Sequence, residues 1–245
     1  LNRPRIYFSA STICSVLQRL SRGKAGGLQA DTLDMYIKMA QAQKKKSKQE
    51  RRRRAKILAA FFTAIANGEV PAQFGKILRT TYLVALQKDP DDYTKLRPLG
   101  VPAAIRRITA ILILDHYRSR FAEYLLPFNY AIGINGGIDL ITSTIRLAVD
   151  EFITSPEKAG LLPTRSLISL DIKNMFNAIS RQRLRTIVRR EFPELEAFAD
   201  LLYPQEGKTA LRLFDGRWYY QPVREGFSQG CPLSPVFAAI VLNEI

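Results

Sequence analysis

Apolar positions recur along this chain with two periods, and each change of period marks an element. Over residues 11–22, Ile13, Val16, Leu17 and Leu20 fall three and four apart, the spacing of one helical face. The glycines of Ser21-Arg-Gly-Lys-Ala-Gly-Gly27 then make a loop. Asp31 stands where it would cap a helix from Thr32, with Leu33, Met35, Tyr36 and Met39 on its apolar face. Lys, Gln, Glu, Arg and Ala are good helix formers, so this helix is expected to run on through 44–54 into 57–62. Asn67-Gly68 and Pro71 stop it.

Residues 80–86 are short and β-rich, and Lys88-Asp-Pro-Asp-Asp92 reads as a turn. Two prolines and a glycine make 96–102 an extended, constrained segment. Helical periodicity returns over 103–126 and 138–153. Residues 166–171 predict a buried strand ending on a carboxylate, and Ser180 is placed to cap a helix to Glu191. Asp215-Gly216 centres a hairpin within 209–223, and Ser234-Pro235 is placed to cap the apolar helix that follows. Helices and strands alternate irregularly, which predicts an α+β fold.

Charge changes this picture. Lys and Arg number 37 against 22 Asp and Glu, a net +15, which points to a polyanionic partner. Residues 41–56 hold nine Lys or Arg and one Glu, a net +8, leaving +7 for the rest of the 245-residue chain. Lys44, Lys45, Lys46, Arg51, Arg52, Arg53 and Arg54 are the candidate nucleic-acid contacts in this run; an exposed helical face or a nuclear-localisation stretch is the plain alternative. Cys14 and Cys231 build no disulfide framework or zinc site, and a single His116 argues against Ser-His or Cys-His nucleophiles. No apolar run reaches membrane-spanning length, so no membrane partner is expected and an intracellular setting fits. The chain begins at Leu1 and stops at Ile245 within an apolar stretch, so both ends read as cuts.

Three segments are candidates for chemistry. Asp171, in Ser169-Leu-Asp-Ile-Lys-Asn-Met-Phe-Asn177, is presented as metal-binding carboxylates often are, although a turn or cap would use it as well. Glu225-Gly-Phe-Ser-Gln-Gly-Cys-Pro-Leu-Ser-Pro235 places two glycines where a backbone can approach a ligand, with Gln229 as donor and acceptor. Lys95, Arg97, Arg106 and Arg107 surround a rigid turn suited to phosphate contacts, or form a solvated basic face.

In this order and spacing the three segments resemble the polymerase core of reverse transcriptases of the non-LTR retrotransposon and group II intron type. Leu96-Arg-Pro-Leu-Gly-Val-Pro-Ala-Ala-Ile-Arg-Arg107 is similar to the fingers motif. Asp171-Ile-Lys-Asn-Met-Phe-Asn177 is similar to the first carboxylate motif, and Gly226-Phe-Ser-Gln-Gly-Cys-Pro-Leu-Ser-Pro235 to the Gln-Gly motif. Weaker likeness extends to Ser21–Leu33, with Gly26 where the family usually has Pro, to Ala66–Pro71 and to Tyr130–Gly137.

The resemblance implies a right-hand polymerase fold: an N-terminal helical extension over 1–75, a fingers-like region over 76–165 and an incomplete palm over 166–245. It implies RNA-directed DNA synthesis with an RNA template, a DNA primer or target, dNTP and two Mg2+ (or Mn2+) ions. Asp171 and the Ile172 carbonyl would hold metal. Arg97, and with it Lys95, would meet the triphosphate. Phe176 would exclude a ribose 2′-hydroxyl, and Gln229 and Gly230 would line the nucleotide pocket. The family's second carboxylate pair, in an aromatic-x-Asp-Asp hairpin, has no counterpart among these 245 residues, because Asp91-Asp92 precedes the first motif. The chain alone is therefore expected to be catalytically dead, and to expose a sheet edge and apolar surface. The competing expectation is a relic or maturase-like module that binds RNA without making DNA.

Overall fold

The computed structural model describes residues 3–23, 31–41, 47–154, 168–213 and 215–244; for 40, 41, 51 and 152–154 it describes backbone alone. The protein is a mixed α+β structure, with one four-stranded sheet among the described residues. It divides into two compact units, Leu1–His116 with Phe176–Ile245, and Tyr117–Met175.

In the first unit, α1 (Ala10–Arg19) starts where the Ser9 hydroxyl accepts from the Thr12 N–H at 3.0 Å. It buries Ile13, Val16 and Leu17 and packs against α2 (Leu33–Gln41) and α3 (Lys48–Ala66). The helix expected to run unbroken from 32 to 62 is two helices. The reason is local: Ser47 accepts from the Glu50 N–H at 3.2 Å and starts α3 anew. Asn67 ends α3, and its side-chain amide clasps the extended N-terminal segment. It donates to the Ile6 carbonyl at 2.8 Å and accepts from the Ile6 N–H at 3.0 Å.

Asp31 does not cap α2 as expected. Its two carboxylate oxygens accept from the N–H groups of Ala104 and Ile105, at 3.2 and 3.1 Å, and so cap α5 (Ala104–Leu125) from 73 residues away. Thr32 serves α2 instead, through the Met35 N–H. The buried face of α2 is Leu33, Tyr36 and Ile37, while Met35 and Met39 are exposed.

α4 (Ala72–Arg79) leads into the hairpin of β1 (Thr81–Asp89) and β2 (Asp92–Val101). A second hairpin, β3 (Gly207–Arg212) with β4 (Trp218–Val223), turns at Asp215-Gly216, where Gly216 has φ +84°. β1 and β3 pair in parallel, giving the order β2-β1-β3-β4. Pro98 and Pro222 fall on the two edge strands, where a missing N–H costs no central ladder bond.

After the short α7 (Met175–Ala178), α8 (Arg181–Glu191) is capped by Ser180 as expected. It packs with α9 (Glu196–Leu202) and α10 (Ser234–Leu242). Phe192, Phe198 and Phe237 are fully buried in this layer, contributing on the order of 1.5–3 kcal/mol each. Ser234 is not the cap of α10; it lies in the first turn, and its hydroxyl is engaged elsewhere.

In the second unit, the 129–137 loop folds back on α5. Asn135 accepts from Arg118 at 2.6 Å, and a Cβ at Gly133 would sit 2.9 Å from the Arg118 carbonyl. α6 (Gly137–Thr154) is exposed over 138–151, with Ile138 and Leu147 largely in solvent. The strand expected at 166–171 is absent from its described part. Residues 168–172 form no ladder, and Leu170 is 86% exposed. An apolar run adopts strand only where a neighbouring strand supplies ladder partners, and none does so here among the described residues.

Candidate functional site

The loop between β4 and α10, residues 224–233, is where distant motifs meet. Gly226 takes φ +72°, donates its N–H to the Ile179 carbonyl at 2.9 Å, and leaves no room for a side chain: a Cβ would lie 2.5 Å from the Asn177 carbonyl oxygen. The Phe227 N–H donates to the Phe176 carbonyl at 2.6 Å. Four residues on, a Cβ at Gly230 would collide with the Gly100 carbonyl, and one at Gly100 would lie 3.4 Å from the Ser228 Cβ. The loop is thus wedged between the α7 segment and the end of β2. Three motifs separated by up to 130 residues touch through backbone.

A buried polar network fixes the loop from behind. Arg181 donates through Nε to the Gly226 carbonyl at 2.9 Å, and through Nη1 to the Val223 and Pro204 carbonyls at 2.9 and 3.0 Å. Ser234 Oγ donates to the Ser228 carbonyl at 2.7 Å and meets Tyr203 Oη at 3.0 Å. Arg106 donates to Tyr203 Oη at 3.0 Å and to the carbonyls of Leu78 and Arg79. The Tyr203 ring is near two guanidinium groups, its centroid 5.3 Å from that of Arg106 and 5.5 Å from that of Arg181. Neither arginine forms an ion pair among the described residues, so carbonyl oxygens and the ring face carry the solvation of two buried cations. Burial drives the Arg181 pKa down and, as the largest cause, pushes the Tyr203 hydroxyl well above its usual range.

The expected site residues divide accordingly. Phe176, Gln229 and Gly230 are half-buried at this junction. Arg97 is exposed on β2, opposite Leu86. Lys95, two residues earlier, bridges Asp89 and Asp92 at 3.2 and 3.3 Å, so a triphosphate would have to compete with two carboxylates for it. Asp92 is held below the usual carboxylate range, first by the Thr94 hydroxyl. Asp171 and Ile172 are exposed and belong to the second unit.

Arg106 is a correction. Expected to contact nucleic acid, it is only 1% exposed, because the apolar face of α5 carries it inward against Tyr203. Arg107 is half-buried, Arg52 and Arg53 are exposed on α3, and Arg54 pairs with Glu50 at 2.6 Å. Lys44, Lys45 and Lys46 lie outside the described residues, as does the Arg51 side chain. The residues that sequence reasoning missed are Arg181, Tyr203 and Ser234. Ser234 stood in a motif, but as a presumed cap; nothing local distinguishes Arg181 from the other arginines of α8.

The resemblance implies Mg2+, and the donor set is the test of that. Among the described residues no three His, Cys, Asp or Glu side chains gather around Asp171 and the Ile172 carbonyl, to which the resemblance points. Mg2+ asks for six oxygens in near-octahedral array, and a pair of such ions needs shared carboxylates. The described residues do not fit a two-metal centre by themselves. No helix among them is long and apolar enough to cross a membrane. In sequence comparison the chain matches no protein-family model and no curated protein.

Proposed function

We propose that the chain is the fingers and part of the palm of a right-hand polymerase, an RNA-directed DNA polymerase of the non-LTR retroelement and group II intron type. One observation carries the reading. The segments similar to the fingers, first-carboxylate and Gln-Gly motifs are far apart in sequence, and their backbones meet at Gly100, Phe176–Asn177 and Gly226–Gly230. Motifs that matched by coincidence would have no reason to converge. In this reading the junction forms the floor of a nucleotide pocket. Phe176 stands at the sugar and Gln229 at the base; Arg97, a planar donor of bidentate bonds, is the candidate for the phosphates but lies on the sheet face away from Gly100.

A second reading has its own observation. The net charge of +15 suits a polyanion-binding surface whether or not DNA is made, which also fits an RNA-binding module that makes no DNA. Primer extension on an RNA template separates the two. The measurement compares the 245-residue chain with the longest open reading frame that contains it, using Asp171→Ala as control. The polymerase reading expects no extension by the chain alone, and dNTP-selective extension by the longer protein that Asp171→Ala abolishes. RNA binding without extension by the longer protein would leave the second reading standing.

A further inference from the structure

The pairing register sorts the sheet into two faces. Gly100, Thr81 and Gly207 point toward the Gln-Gly loop and Arg181. The opposite face carries Tyr82 in register with Ala210, which is itself opposite Tyr220, so two tyrosines flank one alanine in a row across three strands. Trp218, diagonal to this row, meets the Tyr82 ring edge to face at 5.4 Å. Ala210 is fully buried, yet Trp218 and Tyr220 remain 42% and 48% exposed. Lys208 and Arg212 stand on the same face of β3, and Arg97 stands on that face of β2. All three are exposed and make no ion pair among the described residues. No Asp or Glu occupies the paired strand positions of this face from Val101 to Trp218; Glu206, just before β3, pairs with Arg224.

Aromatic rings that only covered a core would be buried, and cations that only solubilised the surface would sit among acids. Exposed rings interleaved with unpaired cations match a different demand: flat apolar bases joined by a charged backbone. We infer that this face is a stacking platform for unpaired single-stranded RNA, with Trp218 and Tyr220 stacking bases while Lys208 and Arg212 meet phosphates. The choice of RNA rests on the polymerase reading, in which the template is RNA.

Trp218 is the chain's one tryptophan, so it reports on its own contact. The probe is an unstructured single-stranded RNA of about 12 nucleotides, within the usual site size for such surfaces. Titration is expected to quench the tryptophan fluorescence to saturation, and the quench is expected to weaken with added salt. Tyr220→Leu keeps Ala210 covered but removes the ring, and is expected to weaken binding roughly five- to a hundredfold. Lys208→Gln with Arg212→Gln is expected to weaken binding and flatten its salt dependence. Saturable binding without quenching would overturn the proposal. So would unchanged affinity in Tyr220→Leu, or equal quenching by a duplex of the same sequence. Tighter binding of the matching DNA strand would overturn the assignment to RNA. Failure here with primer extension intact would leave the polymerase reading in place; quenching without extension by the longer protein would do the reverse.

Discussion

The backbone N–H of Phe227 donates to the carbonyl of Phe176 at 2.6 Å, joining residues that lie 51 apart in the chain. This bond ties the segment bearing the candidate sugar gate to the loop bearing Gln229. The neighbouring bond from Gly226 to Ile179 makes the attachment two-pronged.

Gly226→Ala is expected to break that attachment. The left-handed backbone and the Asn177 carbonyl at 2.5 Å both oppose a methyl group. Roughly 2–4 kcal/mol of stability should be lost, read by denaturant unfolding. A variant as stable as the parent would mean that the loop relaxes freely.

Arg106→Ala should be costly for stability and silent for nucleic-acid electrostatics. It removes donors from Tyr203 and from two carbonyls and leaves a cavity, at a cost of roughly 3 kcal/mol. The salt dependence of RNA binding should not change, because a buried guanidinium releases no counterions. A shallower slope in folded protein would restore Arg106 as a phosphate contact.

Tyr36 gives a pH signature. Burial first, and then Asp31, push its hydroxyl up to about 12 from an ordinary 10.0. The folded state therefore holds this proton more tightly than the unfolded chain. The stability it contributes is complete below pH 10 and is lost as pH rises toward 12. Melting followed across that window should fall less steeply for Tyr36→Phe than for the parent; equal slopes would dismiss the effect.

On α3, Lys48, Arg52 and Lys56 fall four residues apart and form one basic ridge. If the ridge contacts RNA, changing all three to Gln should make the plot of log affinity against log salt shallower by roughly 2. An unchanged slope would assign the ridge to solvation.

Much of the fold was legible because its signals are local. Periodicity and caps gave α5 and α8 nearly to the residue, periodicity gave α1 to within three residues, and Asp215-Gly216 gave the β3–β4 turn. The break at Ser47 was legible too: Ser47 and Glu50 stand at capping-box spacing, although the helix propensity of the basic run points the other way. The site was half legible. Its motifs stood out as Gly-Pro-rich order, but the arginines and tyrosine that hold them carry no such mark.

The sequence by itself determined elements whose hydrogen bonds close within about four residues, since donor, acceptor and side chain there are fixed by adjacency. Tertiary structure decided everything in which distant groups compete for the same partner. It sent the Asp31 carboxylate to α5 rather than α2, turned Arg106 inward to Tyr203, spent the Ser234 hydroxyl on the Ser228 carbonyl, and laid β1 beside β3. It also left residues 168–172 without a ladder, because an apolar run becomes a strand only beside another strand.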